Sequence, residues 1–530
     1  MIDTAALREK VLDLAIRGKL VPQDPNDEPA SVLLERIRQQ KQQMVKDGKL
    51  KPKDIKGDTV IFVGDDNLHY EKFADGSVKC IEDEIPFGIP DTWVWVRLGD
   101  LAQYKKGPFG SSITKAMFIP DSPTAIKVYE QKNAINKDAS LGSYYVSAEK
   151  YESLRGFEVF PNDIIVSCAG TIGETYVMPE TMRKGIINQA LMKISLYDLG
   201  IIDFYLIYFD CQLKNAAREQ GHGVALKNIP PFDVLKKYLV PIPPIQEQNR
   251  IVKAVGNLLG TVNAVDTARD EFLDLVGSVK SKILDLAIRG KLVPQDPADE
   301  PASALLERIR AEKEELIRQG KIKHDKKESV IFRGEDNSYY LRSGEQTEDI
   351  SVWELHDLPA SWGICTLGEV CDYGKCINVD TNQISDDEWI LDLEDIEKDS
   401  GIILCKIRKG ERNAVSTKHR FMKGQVLYSK LRPYLNKVVL TDEDGYCTSE
   451  ILPLDFAKII VPAYARYYLM SPTFLKYADQ CSFGVKMPRL STSDGKKAVM
   501  AIPPIKEQTR IVEAIEYAFS QLDSIVECLN

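Results

Sequence analysis

Apolar residues Ile251, Val255, Leu258, Val262, Val265, Phe272, Val276, Val279, Ile283 and Leu286 recur on alternating steps of four and three, with Arg269 the only charge on that register. A register kept for about five heptads predicts a coiled-coil helix, a rod roughly 50 Å long at ~1.5 Å per residue. Pro243 and Pro244 stand at its start, where missing N–H groups cost nothing, and Gly290 follows its end. Ile511, Ile515, Ala518, Leu522, Ile525 and Leu529 restart the pattern before the last residue. Leu7, Val11 and Leu14 correspond to Val279, Ile283 and Leu286. The helices at the two chain ends are therefore expected to form a broken counterpart of the central helix and to pair with it antiparallel. The competing expectation is that each seam buries against a separate helical domain.

This circular pattern belongs to a duplication. Residues 12–38 return as 284–310 with 25 of 27 positions identical, only Asn26/Ala298 and Val32/Ala304 differing. VIFVGDDNLHY (60–70) answers VIFRGEDNSYY (330–340), IPDTWVWVRLGDL (89–101) answers LPASWGICTLGEV (358–370), and PIPPIQEQNRIV (241–252) answers AIPPIKEQTRIV (501–512). Each copy has an extended Pro/Asp segment, a charged helix (31–46 and 303–318), a Lys-rich linker and a short β-like run. Lys and Glu on those helices read as a solvated face. The near identity of the two arms then has two explanations, a partner docking at two equivalent places or recent duplication alone. Between the repeats lie two dissimilar inserts, roughly 102–240 and 371–500, both read as mixed α/β with short strands. The fold class expected is α+β: two α/β domains separated by an antiparallel pair of long helices in a pseudo-two-fold circular repeat. The divisions expected are 1–75, 76–243, 244–345, 346–503 and 504–530.

At 530 residues the chain has length for three or four domains. No run of 18 apolar residues predicts a membrane span, and MIDTAALREKVLDL lacks the apolar core of a secretory signal. Ten cysteines without a CxxC pair and only five histidines argue for reduced thiols in the cytoplasm and against zinc. The net charge of −10 argues against attachment to nucleic acid by bulk charge. Its distribution changes the picture. Residues 406–437 hold ten Lys/Arg against Glu411 alone, directly after 380–399, which hold nine acids against one lysine. The acidic total is therefore expected to hide a strongly basic strip in the second insert.

Within that strip, KGQVLYSKLRPYLNKVVLT (423–441) has two apolar runs flanking a basic, aromatic loop. Tyr428, Ser429, Lys430, Arg432, Tyr434, Asn436 and Lys437 are the residue types that contact DNA: cations for phosphates, Arg and Asn for base edges, Tyr and Ser for the backbone. The bland alternative is a hairpin with a solvated tip. In the first insert Lys105, Lys106, Ser111 and Ser112 combine basic and hydroxyl groups with glycines, and Thr171 lies in the turn AGTIG (169–173). His222 and Lys227 precede the point where the frame resumes, as Lys486 and Arg489 do in the second half. No G-x-x-x-x-G-K-S/T loop or strand–GxGxxG–helix unit appears. Asn228-Ile229-Pro230-Pro231-Phe232 departs from the amino-methyltransferase motif at Ile229 and reads as a turn. No catalytic constellation occurs twice, so no catalytic residue, metal ligand or cofactor site is expected.

Taken together, the P-x-P-P-x-x-E-Q-x-R-I-V entries to the helices, the P-x-x-W-x-x-x-x-L-G openings of the inserts and the LYSKLRPYLNK and AGTIG segments resemble the specificity subunits of type I restriction–modification enzymes. The arm repeat IRGKLVPQDP…EPAS is similar to one subgroup. The resemblance implies two target-recognition domains, 76–243 and 346–503, each reading half of a bipartite site on double-stranded DNA, with the helices setting the gap. It implies a non-catalytic chain in the cytoplasm, with two modification (methyltransferase) and two restriction (motor-nuclease) subunits as partners. Those partners would bind the S-adenosylmethionine, ATP and Mg. A self-contained methyltransferase or nuclease, and a two-armed protein adaptor without DNA binding, are the rival readings.

Overall fold

The computed structural model describes residues 2–220, 232–320, 329–336, 338–350, 353, 357–412, 416–456 and 458–529. The chain divides into two units, 2–268 and 269–530, and the helix Ile245–Ile288 gives its first part to one and the remainder to the other.

In the unit 2–268, helix Thr4–Ile16 lies antiparallel to the first part of that long helix. Arg8 pairs with Asp266 at 2.7 Å, while Ala15 packs with Ile251, Val255, Trp93 and Phe204. In the unit 269–530, helix Ile505–Leu529 runs antiparallel to the remainder. Lys280 meets Asp523 at 2.5 Å, and Leu284, Ala287 and Ile288 join Ile511, Val512 and Ile515. The heptad register is kept along Val255, Val262 and Val276 but only at Ile251 on its other line. Ile251, Val255, Val262 and Val276 are buried, but Leu258, Val265 and Val279 are 42%, 39% and 39% exposed. Leu259, Asp266, Lys280 and Ala287, one residue further along, turn inward instead. A helix of 3.6 residues per turn drifts off a strict heptad by about 20° each repeat, and here ion pairs hold the drifted line.

The repeated arms are packed against the inserts. Ala30, Leu33, Leu34 and Ile37 form the i, i+3, i+4, i+7 stripe of helix Ala30–Lys46 and join Val96, Leu98 and Leu101 in one core. Ala302, Leu305 and Leu306 of helix Ala302–Arg318 repeat this in the second unit. Gly18 and Gly290 have φ of +66° and +67°, and a Cβ on either would lie 2.5 Å from Cγ of Pro90 or Pro359. Each arm is then tied to its helix entry by a buried polar clasp. Glu247 accepts from the Trp93 indole at 3.0 Å and from Gln23 at 2.9 Å; Glu507 accepts from Trp362 at 3.0 Å and Gln295 at 2.6 Å. Arg250 pairs with Asp27, and Arg510 with Asp299, both at 2.6 Å. Much of the arm identity therefore has a packing reason. Lys19, Pro22, Asp24, Pro25, Ser31, Glu35 and Arg36 remain exposed, as do their identical counterparts.

The junction of the first arm carries a buried charged cluster. Lys41 Nζ, almost fully buried, lies 2.5 Å from Asp58 and donates to the Asp100 carbonyl. Thr59 donates to Glu71, which Arg97 holds at 2.6 Å. Burial, then the neighbouring Asp58 carboxylate, pushes the Asp100 carboxyl up to about 7. At the equivalent place Glu369 pairs with Arg310 at 3.3 Å. An acid whose folded pKa is raised stabilises the fold fully below its unfolded value, about pH 4, and that contribution is lost as pH rises through 7. The unit 2–268 should therefore unfold at a higher temperature near pH 5.5 than near pH 8. Asp100→Asn should flatten that window and recover about 1–2 kcal/mol at pH 8, read by thermal unfolding across pH.

The two inserts, unlike in sequence, share a strand plan. Each is closed by pairing its ends: Val94–Arg97 with Leu239–Ile242, and Gly363–Thr366 with Val499–Ile502. Each contains one parallel pair, Ile126–Tyr129 with Gly185–Ile187 and Trp389–Leu391 with Gly445–Thr448. Each also contains a fully buried strand between two antiparallel neighbours: Ile164–Ser167 between Thr175–Val177 and Leu191–Leu196, and Val426–Ser429 between Val438–Leu440 and Ile451–Leu454. Continuous apolar runs such as Ile164–Val166 suit strands covered on both faces.

Candidate nucleic-acid interface

In the first insert, sheet register gathers the candidate residues. Lys106 of strand Ala102–Lys106 faces Met192, and Ser167 of strand Ile164–Ser167 faces Leu191. Both strands that pair with Leu191–Leu196 therefore end beside its start, and the loops 107–112 and 168–174 leave the same end of one sheet. Gly107 donates to the Leu191 carbonyl and Cys168 to that of Ala190, both at 2.9 Å. A Cβ on Gly107 would lie 1.8 Å from the Asn188 carbonyl oxygen, so only glycine lets the loop turn here. Ser167 Oγ donates to the Thr171 carbonyl at 2.6 Å and sets the second turn. Lys105, Lys106, Ser111 and Thr171 are exposed at this end and Ser112 is half-buried. Lys105 lies 5.0 Å from the centre of the Phe157 ring, which fixes its stem. His222 and Lys227, and the turn at 228–231, lie outside the described residues.

The basic loop of the second insert occupies the equivalent place, between Val426–Ser429 and Val438–Leu440, and Ser429 Oγ donates to the Leu431 carbonyl at 2.9 Å. Its seven candidates divide. Tyr428, Ser429 and Asn436, expected at a DNA surface, are buried. Tyr428 packs edge-on against Phe474, and Asn436 donates to the Met470 carbonyl at 3.4 Å. Lys437 is half-buried and donates to the Leu393 carbonyl at 2.6 Å; burial lowers its pKa. These four shape the loop from within. Lys430 and Arg432 are half-buried without an ion pair among the described residues, and Tyr434 is 52% exposed. Arg432 and Asn436 both take the left-handed region, φ +49°, which non-glycine residues enter at a cost. Two backbone bonds hold the loop there, Arg432 N to Pro488 O at 2.7 Å and Leu490 N to Lys430 O at 3.0 Å. They bind it to the hairpin of strands Ser482–Phe483 and Arg489–Leu490, on which Lys486 is exposed. Arg489 instead pairs with Glu450 at 2.9 Å, which holds its pKa up.

The basic strip is largely neutralised by the acidic run before it and by a short acidic turn after it. Arg412 pairs with Asp395 at 2.5 Å and Lys418 with Asp392 at 2.8 Å. Lys409 pairs with Asp386, and Lys406 and Arg408 reach Asp442 and Glu443. Adjacent runs of opposite charge fold onto each other, so of the strip expected from the sequence Arg420, Lys423, Lys430 and Arg432 are left without an ion pair among the described residues, the last two on the loop. Among the described residues neither these two nor Lys486 forms an ion pair. The sequence reading passed over the apolar neighbours. Phe109 is 86% exposed beside Lys105 and Lys106, and Val485 is fully exposed between Gly484 and Lys486. An apolar residue isolated in a Gly/Lys loop, on neither a helical nor a strand period, was the available signal.

Among the described residues no group of His, Cys, Asp and Glu has the arrangement of a metal site, and no helix is long and apolar enough to cross a membrane.

Residues 90–269 match the family described as type I restriction modification DNA specificity domain. The chain is 29% identical over 417 residues to the type I restriction enzyme EcoAI specificity subunit of Escherichia coli, 69% of this chain and 62% of that protein. It is 27% identical over 410 residues to the EcoEI specificity subunit of the same organism, 69% of this chain and 61% of that protein. The alignments thus span about three fifths of these relatives' length. A solved type I R-M structure, described in terms of complex assembly and conformational transition, is 15% identical, with a TM-score of 0.46, over 84% of this chain and 94% of its own. The motifs read from the sequence agree with the family and relative matches: the chain is similar to the specificity subunits of type I restriction enzymes, and its residues 90–269 match the type I restriction modification DNA specificity domain.

Proposed function

We propose that this chain is the non-catalytic DNA specificity subunit of a type I restriction–modification complex, acting in the cytoplasm. Each insert reads one half of a bipartite site on double-stranded DNA. The observation that carries this reading is the shared placement of two unlike loop clusters. One strand plan sets Lys105, Lys106 and Thr171 at a sheet end in one insert, and Lys430 and Arg432 at the equivalent place in the other. Same scaffold and different surface is what reading two different half-sites requires. Cations at the rim supply the phosphate contacts on which such binding depends, and base-edge contacts supply the sequence preference.

The exposed positions kept identical in both arms, from Lys19 to Arg36 and from Lys291 to Arg308, suit docking of two copies of one partner. Two modification subunits fill that role, with two restriction subunits in the complete assembly. S-adenosylmethionine, ATP and Mg belong to those partners in this reading.

Mapping methylated adenines across the genome of cells with and without this gene is the test. A bipartite methylated sequence that vanishes with the gene is expected. Persistence of the same methylation without it would remove the proposal, and S-adenosylmethionine binding by the isolated chain would favour an enzyme instead. The long helix offers a second measurement. Ile245–Ile288 is continuous, so four residues inserted near Gly260 lengthen it by ~6 Å, close to two base-pair steps. Both half-sites should persist in the methylation map while the gap between them changes.

A further inference from the structure

We propose that each insert recognises its half-site through an exposed apolar tip set in a basic rim, Phe109 in the first and Val485 in the second, and that each tip contacts the C5-methyl group of a thymine in the major groove. The inference rests on the DNA-reading function proposed above and specifies what the reading consists of.

Two independent surfaces carry it. In the first insert Phe109 is 86% exposed on the loop that Gly107 pins to the sheet end, three residues from Lys106. In the second, Val485 is fully exposed at the tip of the hairpin between Ser482–Phe483 and Arg489–Leu490, with Phe483 at 60% and Met487 at 50% beside it. Gly484, at φ +101°, makes the turn that lifts Val485 clear of the domain. This tip is no loose end. Backbone bonds from Arg432 to Pro488 and from Leu490 to Lys430 fix the hairpin to the basic loop.

In the second insert the exposed cluster of Phe483, Val485 and Met487, held by backbone bonds, marks a surface that a partner covers, and Phe109 is its single-residue counterpart in the first. Charge complementarity identifies the partner. Lys106 lies three residues before one tip, and Lys430, Arg432 and Lys486 lie on the loop and hairpin that carry the other. The partner must therefore be polyanionic at its rim and apolar at its centre. In the major groove of a duplex, phosphates border the groove and the thymine methyl is the apolar group that bases present. Neither tip is needed to fold its domain, because neither side chain is buried.

The experiment uses the full chain assembled with its modification subunits. Once methylation mapping has given the two half-sites, each of their thymines is replaced in turn by uracil, which lacks only the methyl. Binding of the assembled complex is then measured. In each half-site one replacement should weaken binding roughly tenfold. Phe109→Ser should abolish that loss in one half-site only, and Val485→Ser in the other only. Half-sites indifferent to uracil, or a loss that both variants retain, would overturn the inference while leaving DNA reading intact. A wild-type complex that leaves no sequence-defined methylation overturns the DNA reading instead.

Discussion

Glu507→Ala should lower the stability of the unit 269–530 by about 3 kcal/mol, and Glu247→Ala should do the same to the unit 2–268. Each carboxylate is buried and accepts from one indole N–H and one amide. Truncation leaves the buried Trp indole N–H without its acceptor, which costs more than the net value of that bond, while the exposed Gln amide can turn to water. It also removes the link between the arm, the insert opening and the helix entry, three segments distant in sequence. Burial already pushes the Glu507 carboxyl upward, so part of its interaction energy offsets desolvation. Glu507→Gln keeps a carbonyl acceptor for Trp362 at reduced strength and should cost less than half as much. Hydrogen exchange distinguishes the two sites: protection should fall in 269–530 for one variant and in 2–268 for the other. Equal losses across both units, or losses under about 0.5 kcal/mol, would show that the clasp does not hold its arm.

The second large effect is functional. Lys430→Ala combined with Arg432→Ala should erase or alter the sequence read by the second insert and leave the other half-site unchanged. Both cations sit on a loop fixed by backbone bonds, and neither is consumed by an ion pair among the described residues. Losing two phosphate or base contacts from one half-site is expected to weaken binding roughly a hundredfold and to reduce its salt dependence. Lys437→Ala is the informative comparison. Its amine is bonded to the Leu393 carbonyl, so the loss expected there is in folding of the loop. Methylation maps from complexes of verified composition give the answer. Simultaneous loss of both half-sites would count against separate reading by the two inserts.

Legibility differed from element to element. The helix Ile245–Ile288 was readable because an apolar period close to 3.6 sustained over ten positions has few other solutions. Its seam was readable only in part, since Leu258, Val265 and Val279 belong to the heptad yet face solvent. The Trp93–Glu247 and Trp362–Glu507 clasps lay in plain view as repeated P-x-x-W and E-Q motifs. Their partnership spans 154 and 145 residues, and no local pattern joins positions that far apart. Composition overstated the basic strip, because it counts charges without their partners. Tyr428, Ser429 and Asn436 have the chemistry of DNA contacts, and period-2 reasoning could not assign their faces in a loop between strands.

The amino-acid order alone determined the duplication, the circular placement of the helices and the existence of two unlike inserts, since identity and periodicity are properties of the chain itself. Only the tertiary structure decided that those inserts share one strand plan, because the same backbone hydrogen bonds can be made by entirely different side chains. It also decided which cations remain available. Whether Arg412 or Arg432 meets a carboxylate depends on distances closed by folding, and those distances are set by sheet register rather than by separation along the sequence.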